Sequence, residues 1–570
     1  MAFQPQINGN KHMIAAGHYL ATQAGYDILE AGGNAIDAGV AANLVLGVVQ
    51  SDMVNIAGVA PIMVYLKERD EVLTLAGVGP WPKATSLDRF VQEFGEVPLG
   101  ILRTVVPAAP DANIQALLRW GTMSFADVAA AAIRYARDGF PMHNLMAAYL
   151  EDHQETYRMW PANAEIYLPD GEVPKIGDRF VQSDLAGSLQ YMADQETASK
   201  NGRDSGLGAA RGAFYTGDIG RTIVEFHEDN GGLLSMEDMA EFECELLPPE
   251  KITYSGGEPL DIYACGVWCQ GPAMLQMLRL LDGIDLKSMG HNSADYIHTM
   301  AEAIKLGFAD REAFYGDPNF VDVPMERLLS EDYAAERRAM IRAGEAWPDM
   351  PPAGKIAGAG GGPIVSAPTA GSPPAPADTS YVGVVDEQGN AFSSNPSDVT
   401  WESPVVPGTG LCPSARGSQS WAVPGHASSL GPGKRPRLTP NPAMAIRKGK
   451  LVMPFGTPGG DNQTQANLQV LLNMELFGMA PQDAVEAPRF MTHSQPDSFS
   501  PHRAYPGKLT AESRIDEAVT GDLKARGHDV ERIPEFTWKT AGVCVVRKDE
   551  ETGLLESGAD PRRPSRAMGW

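Results

Sequence analysis

Cysteine is scarce. Five in 570 residues (Cys244, Cys265, Cys269, Cys412 and Cys544) form an odd, scattered set, which argues against a disulfide-stapled scaffold and fits a reducing compartment. Cys265 and Cys269 stand four apart with no second Cys or His pair at ligand spacing, so both are assigned to the core and no metal site is expected. Long apolar runs are missing too: nothing approaches the ~18 uninterrupted apolar residues of a membrane span. Met1 to Asn10 has no basic stretch leading into an apolar run, and a cytoplasmic location is expected. Basic side chains are in deficit, 46 against 72 acidic, for a formal charge of -26. Such a charge repels phosphate backbones and anionic lipid, so neither nucleic acid nor membrane is an expected partner.

What remains is ordinary globular material, 43% hydrophobic and 21% charged, enough for a large core. Ala, Gly, Leu and Val dominate from Ile14 to Val49. There Gly32-Gly33 reads as a helix stop, Asn34 as a cap and Ala35 to Val49 as a buried helix. Helical periodicity also covers 112–150, 182–200 and 292–345, so 1–350 is expected to be mainly helical. Residues 351–377 are Pro, Gly, Ala and Ser with one charge, Lys355, a composition that predicts a flexible linker. Thr379 to Val385 then reads as a strand, Asp386 to Asn390 as a turn and Ala391 to Ser394 as its return strand. Further strands are expected at 451–455 and 543–546, with helices near 463–477 and 511–526. The division is 1–350, a linker 351–378, and 379–570. The class is α+β, a sheet covered by helices.

A threonine opening a strand is unremarkable alone; its company is not. Gly32-Gly33-Asn34-Ala35-Ile36-Asp37-Ala38, Gly139-Phe140-Pro141, Phe214-Tyr215-Thr216-Gly217, Ala301-Glu302-Ala303-Ile304-Lys305, Gly316-Asp317-Pro318, Asp378-Thr379-Ser380, Gly433-Lys434-Arg435-Pro436, Gly456-Thr457-Pro458-Gly459-Gly460 and Ala487-Pro488-Arg489 occur in this order. The ordered set resembles the γ-glutamyltransferase family over nearly the whole chain. That resemblance implies an N-terminal nucleophile fold, an αββα sandwich, in which the precursor cuts itself between Asp378 and Thr379. It implies Thr379 as nucleophile, Ser397 as the hydroxyl that hydrogen-bonds it, and the N–H groups of Gly459 and Gly460 as the oxyanion hole. It implies no cofactor. A free α-amine, with pKa near ~7.7–8.0, supplies a base on the same residue as the hydroxyl.

The γ-glutamyl-specific parts are missing. Where relatives carry an arginine in a segment like F-R-E-x-A-P, this chain has Ala76 to Pro82 without one. Their paired serines are replaced by Arg437-Leu438-Thr439-Pro440, and an aspartate-bearing segment by Ser414 to Trp421. What stands instead is similar to the branch containing oxamate amidohydrolase and cephalosporin acylases. The expected activity is hydrolysis of a small acyl amide through a threonyl ester, with Arg416, Gln419 and Thr439 as candidate substrate-binding residues. Arg416 could hold a carboxylate bidentately. A γ-glutamyl hydrolase or transferase of the glutathione type is the alternative enzyme, and a silent binding or scaffold relative the alternative class. The expected partners are the substrate, the two processed fragments for one another, and a second copy of the chain.

Overall fold

The computed structural model describes residues 3–373 and 379–570. Two seven-stranded antiparallel sheets lie face to face between layers of helix. The first runs Arg566–Gly569, Met13–Ala16, Val382–Val385, Ala391–Ser394, Ile62–Leu66, Glu71–Leu75 and Leu246–Leu247. The second runs Ile7–Gly9, Leu555–Ala559, Cys544–Asp549, Leu451–Gly456, Ala443–Arg447, Leu260–Ala264 and Glu250–Tyr254.

Strand alternation assigns the layers. Ile14, Ala16, Val382 and Val384 face helices 19–30 and 35–49, while Met13, Ala15, Tyr381 and Val385 point between the sheets and meet Met444, Ile446, Val452 and Val546. On the second sheet's far side, Ala443, Ala445, Met453 and Phe455 pack on helices 271–281, 294–314 and 462–475. This is the four-layer αββα sandwich.

Asn34 caps its helix with a reciprocal capping box to Asp37, as the sequence predicts. Two expectations change. The small residues from Ile14 onward suggest tightly packed helices, yet Ile14–Ala16 belongs to the strand Met13–Ala16, paired with Val382–Val385. The helix expected over 511–526 begins only at Glu517, because Lys508–Glu512 pairs in parallel with Asp529–Ile533. The part before residue 351 supplies strands to both sheets, and Val382–Val385 sits between Met13–Ala16 and Ala391–Ser394. The two regions of chain therefore share one core.

Residues 351–373 are irregular but hydrogen-bonded. The Gly354 N–H donates to Asp310 (2.8 Å), the Gly362 N–H to the Ala313 carbonyl (2.8 Å), and Ala367–Pro368 pairs in parallel with Arg503–Ala504. Asp378, the expected acyl side of the scissile bond, lies outside the described residues.

Burial sets an acid limit on this fold. It pushes His143, His227, His493 and His502 down to about 4. Above pH 6.5 neither folded nor unfolded chain protonates them, and no stability depends on them. Below 6.5 the unfolded chain takes up protons that the folded chain refuses until about pH 4, at roughly 2 kcal/mol per histidine by pH 5. The melting temperature should fall steeply between pH 6.5 and 5; a flat thermal-shift profile over that range contradicts this.

Candidate active site

Thr379 leads, through Ser380 and Tyr381, into the inner strand Val382–Val385 of the first sheet and is wholly buried. Its N–H donates to the Met53 carbonyl (3.2 Å), and the same carbonyl accepts from Asp398 N–H (3.1 Å). Asn395 Nδ2 ties the next stretch down, donating to the carbonyls of Ser380 and Thr457, each at 2.9 Å. Thr379 has φ +82°, a left-handed conformation that a β-branched residue adopts only under strain, of order 1–3 kcal/mol. The strained residue is the one after the expected scissile bond.

Thr379 Oγ1 lies 2.6 Å from Ser397 Oγ and accepts a longer bond from Gln463 Nε2 (3.4 Å). Ser397 is clamped through its backbone to Val59, N–H to carbonyl in both directions (2.9 and 3.1 Å). Arg416, in the short 3-10 turn Arg416–Gln419, is 1% exposed. Its Nη2 donates to Ser397 Oγ (2.6 Å) and its Nε is 3.7 Å from Asp398 Oδ2, which also accepts from Ser414 Oγ (2.5 Å). A guanidinium only donates. It therefore occupies a lone pair of Ser397 and places positive charge one hydroxyl away from Thr379 Oγ1.

Gly459 and Gly460 end the turn between strand Leu451–Gly456 and helix Asn462–Glu475. Their φ angles are +124° and +54°, and the first is open in practice only to glycine. Neither N–H donates to another described residue. The Gly460 carbonyl is fixed from behind by Gln270 Nε2 (2.9 Å), which also holds the Thr439 carbonyl (2.8 Å), while Arg311 Nη1 donates to Gln270 Oε1 (2.8 Å). Gly459→Ala should lower kcat about 10- to 100-fold in a folded protein: the strain alone is of order 1–3 kcal/mol, and the new Cβ would sit 3.3 Å from that of Ala541. Unchanged kcat with a normal circular dichroism spectrum would remove this glycine from the site.

Gln419, Thr439 and the polar side chains around them fall as follows. Gln419 and Thr439 close on each other, Nε2 to Oγ1 at 2.8 Å and Thr439 N–H to Oε1 at 3.2 Å, both fully buried. His426 stacks on Trp421 (4.3 Å, 10°), burial pushes it down to about 3, and it serves as a neutral turn residue that accepts from Ser428 N–H. Lys434 donates to the Ala427 carbonyl (2.9 Å) and Arg435 pairs with Asp317 and Glu245, which makes both structural. Gln463, Gln270 and Met53 were not singled out in the sequence. Two are neutral amides and the third acts through its backbone, so residue type carries no signal of their placement. Among the described residues His298, Glu302 and His528 form one group with metal-ligand spacing. Its histidines bond each other (2.9 Å), and Glu302 is already taken by Lys305 Nζ (2.8 Å) and Trp347 N–H (3.0 Å).

A cleft of about 370 Å³ opens beside Gly459 and Gly460, with Trp401, Phe499 and Tyr505 among its walls.

Two facing antiparallel sheets between helices, with a buried hydroxyl residue opening a central strand, define the N-terminal nucleophile hydrolase class. The comparisons give the family. The sequence model described as Gamma-glutamyltranspeptidase matches residues 21–570, and the chain belongs to that family. It is 32% identical over 567 residues to the glutathione hydrolase-like YwrD proenzyme of Bacillus subtilis (strain 168), covering 99% of both chains. It is 34% identical over 545 residues to the acylase ACY 1 proenzyme of Pseudomonas sp. (strain SE83), covering 92% of this chain and 88% of that one. Among solved structures, cephalosporin acylase from Bacillus halodurans matches with a TM-score of 0.85 at 26% identity, over 100% of this chain and 98% of the other. No helix of the described residues is long and apolar enough to cross a membrane.

Proposed function

We propose that the chain cleaves itself between Asp378 and Thr379 and then hydrolyses acyl amides through an ester on Thr379. The observation that carries this is the 2.6 Å contact of Thr379 Oγ1 with Ser397, itself held by buried Arg416. In the first step Thr379 Oγ1 attacks the Asp378 carbonyl carbon and its proton passes to the departing Thr379 nitrogen. An ester forms, water hydrolyses it, and an Asp378 carboxylate and a free Thr379 α-amine remain. That amine is the base of the mature enzyme. It takes the hydroxyl proton as Oγ1 attacks a substrate amide and returns it to the leaving amine. The oxyanion of both reactions is assigned to the Gly459 and Gly460 N–H groups, where one donor is typically worth ~10²–10³ in rate. A denaturing gel tests the proposal: fragments 1–378 and 379–570 are expected, and a single intact band after prolonged incubation overturns it in favour of a silent relative.

A second reading, glutathione hydrolysis, draws on the name of the Bacillus subtilis relative. The Ala76 to Pro82 segment speaks against it. It contains no arginine, and its Trp81 is buried with Nε1 donating to Ser420 Oγ (3.0 Å). A glutamyl α-carboxylate and α-ammonium would lose the partners that relatives provide, at roughly 1–3 kcal/mol each. γ-Glutamyl-p-nitroanilide should therefore be a poor donor. Turnover at micromolar KM contradicts the acyl-amide reading and restores the glutamyl one.

Arg416, Gln419 and Thr439 stay in the proposal as residues of the substrate side, with Arg416 the cation that a carboxylate-bearing acyl group would meet.

A further inference from the structure

Asp52 stands on the turn that holds the nucleophile. The turn follows helix 35–49 and is closed by the Gln50 carbonyl, which accepts from the N–H groups of Met53 (2.9 Å) and Val54 (2.8 Å). Tyr167 Oη and Thr400 Oγ1 donate to the Ser51 carbonyl (3.4 and 3.0 Å), and Tyr157 bonds Thr400 in turn (3.0 Å). Two residues on, the Met53 carbonyl accepts the Thr379 N–H (3.2 Å). One peptide step of about 3.8 Å and that hydrogen bond place the Asp52 Cα within ~10 Å of the Thr379 nitrogen.

The Asp52 carboxyl is fully buried, and neither of its oxygens has a hydrogen-bond partner among the described residues. The Met53 N–H beside it is already given to Gln50. A buried carboxylate served this poorly is costly. Burial pushes Asp52 up to about 7, against the pull of its own N–H, of Arg563 and of the Met53 N–H. The groups facing it are Arg563, whose Nη1 lies 3.2 Å from Met53 Sδ, and the phenols of Tyr157 and Tyr167, which burial keeps protonated far above neutrality. The other carboxylate near Thr379, Asp398, already faces Arg416 and accepts from Ser414.

Self-cleavage brings a new charge to this place. The uncut chain has an amide nitrogen at Thr379, which does not titrate. The cut chain has an α-amine, which ordinarily takes up its proton near ~7.7–8.0. A carboxyl and an amine that titrate in the same range at this separation do so as a pair. The ammonium draws the carboxyl into its ionised form, and the carboxylate holds the proton on the amine.

We infer that Asp52 is the charge partner of the Thr379 α-amine in the cleaved chain, a positioning residue whose carboxylate stabilises the ammonium form and so sets the pH at which the base becomes available. The inference rests on the Thr379 reading for the existence of the amine, and otherwise on the buried turn alone.

The test titrates the amine directly, on purified protein after incubation. Cyanate carbamoylates the unprotonated amine. Its rate at Thr379, read by mass spectrometry of the light fragment over a series of pH values and normalised to the free peptide Thr-Ser-Tyr-Val, gives the midpoint. Asp52→Asn keeps the shape of the side chain and removes its charge. It should still cleave to completion, because the uncut chain has no amine to balance. Its amine midpoint should then lie about one pH unit below the parent's, the shift expected when a unit charge within ~10 Å is removed from a protein interior. Asp52→Ser, smaller and also uncharged, should show the same shift. Midpoints equal to the parent's overturn the inference. Absence of the light fragment from both variants overturns it too, by assigning Asp52 to the fold. Absence of that fragment from the parent fails the Thr379 reading, and this inference with it.

Discussion

Thr379→Ala stays a single polypeptide of 570 residues, while Thr379→Ser cleaves more slowly than the parent. The alanine variant lacks the hydroxyl that the proposed attack on the Asp378 carbonyl requires, so its expected loss is complete rather than graded. Serine keeps that oxygen but drops the methyl that fixes χ1 of a β-branched residue. The remaining hydroxyl can rotate away from Ser397 and Gln463, now 2.6 and 3.4 Å from Oγ1. Serine also adopts positive φ at lower cost than threonine, so part of the strain stored at φ +82° is released before the bond breaks. Both effects slow the reaction. Timed denaturing gels of the two variants, with circular dichroism to show that alanine folds, give the answer. Cleavage of the alanine variant at the same bond would assign the attack to another group.

The second large effect is expected at Arg416. Its guanidinium reaches Ser397 Oγ and the neighbourhood of Asp398 Oδ2 from a site 1% exposed. Removing one partner from a buried charge pair typically costs about 3–5 kcal/mol. Arg416→Ala should therefore slow self-cleavage by at least 10²-fold. Ser397→Ala removes one hydroxyl and its charged hydrogen bond, worth ~1.5–3 kcal/mol, and should slow it about 10- to 100-fold. Lysine is a point charge without the planar fork and should recover Arg416 function only in part. Recognition can be read separately: if Arg416 also meets a substrate carboxylate, Arg416→Lys raises KM for anionic amides more than for neutral ones of equal size. Equal losses for both confine Arg416 to orienting Ser397. Full self-cleavage of Arg416→Ala would remove it from the site altogether.

Much of the fold was legible because its signals are local. Asn34 before Ala35-Ile36-Asp37 is a capping box, and Val382 to Ser394 is a hairpin of two apolar runs around Asp386-Glu387-Gln388-Gly389-Asn390. The misreadings were tertiary. Ile14–Ala16 has the small apolar residues of a packed helix, yet it lies in a strand because Val382–Val385 and Arg566–Gly569 flank it with ladder partners. The linker's composition predicts almost nothing apolar enough to pack, yet Ala353, Ile356 and Ala359 rest against the core behind the second sheet, and its N–H groups find partners at Asp310, Ala313, His502 and Ala504. At the proposed site, Thr379 and the glycine pair stand in motifs that carry the resemblance, and Ser397 is named by the resemblance alone. Gln463, Gln270 and the Met53 carbonyl were not legible, since a glutamine or a backbone carbonyl acquires its role only from what the fold sets opposite it.

The most direct test is mass spectrometry of the purified chain before and after soaking with an acyl amide. A light fragment of residues 379–570 beginning Thr-Ser-Tyr-Val, which then gains the mass of the acyl group on Thr379, is the predicted result. An intact chain, a new N-terminus elsewhere, or an acyl group found on a different residue would contradict the account.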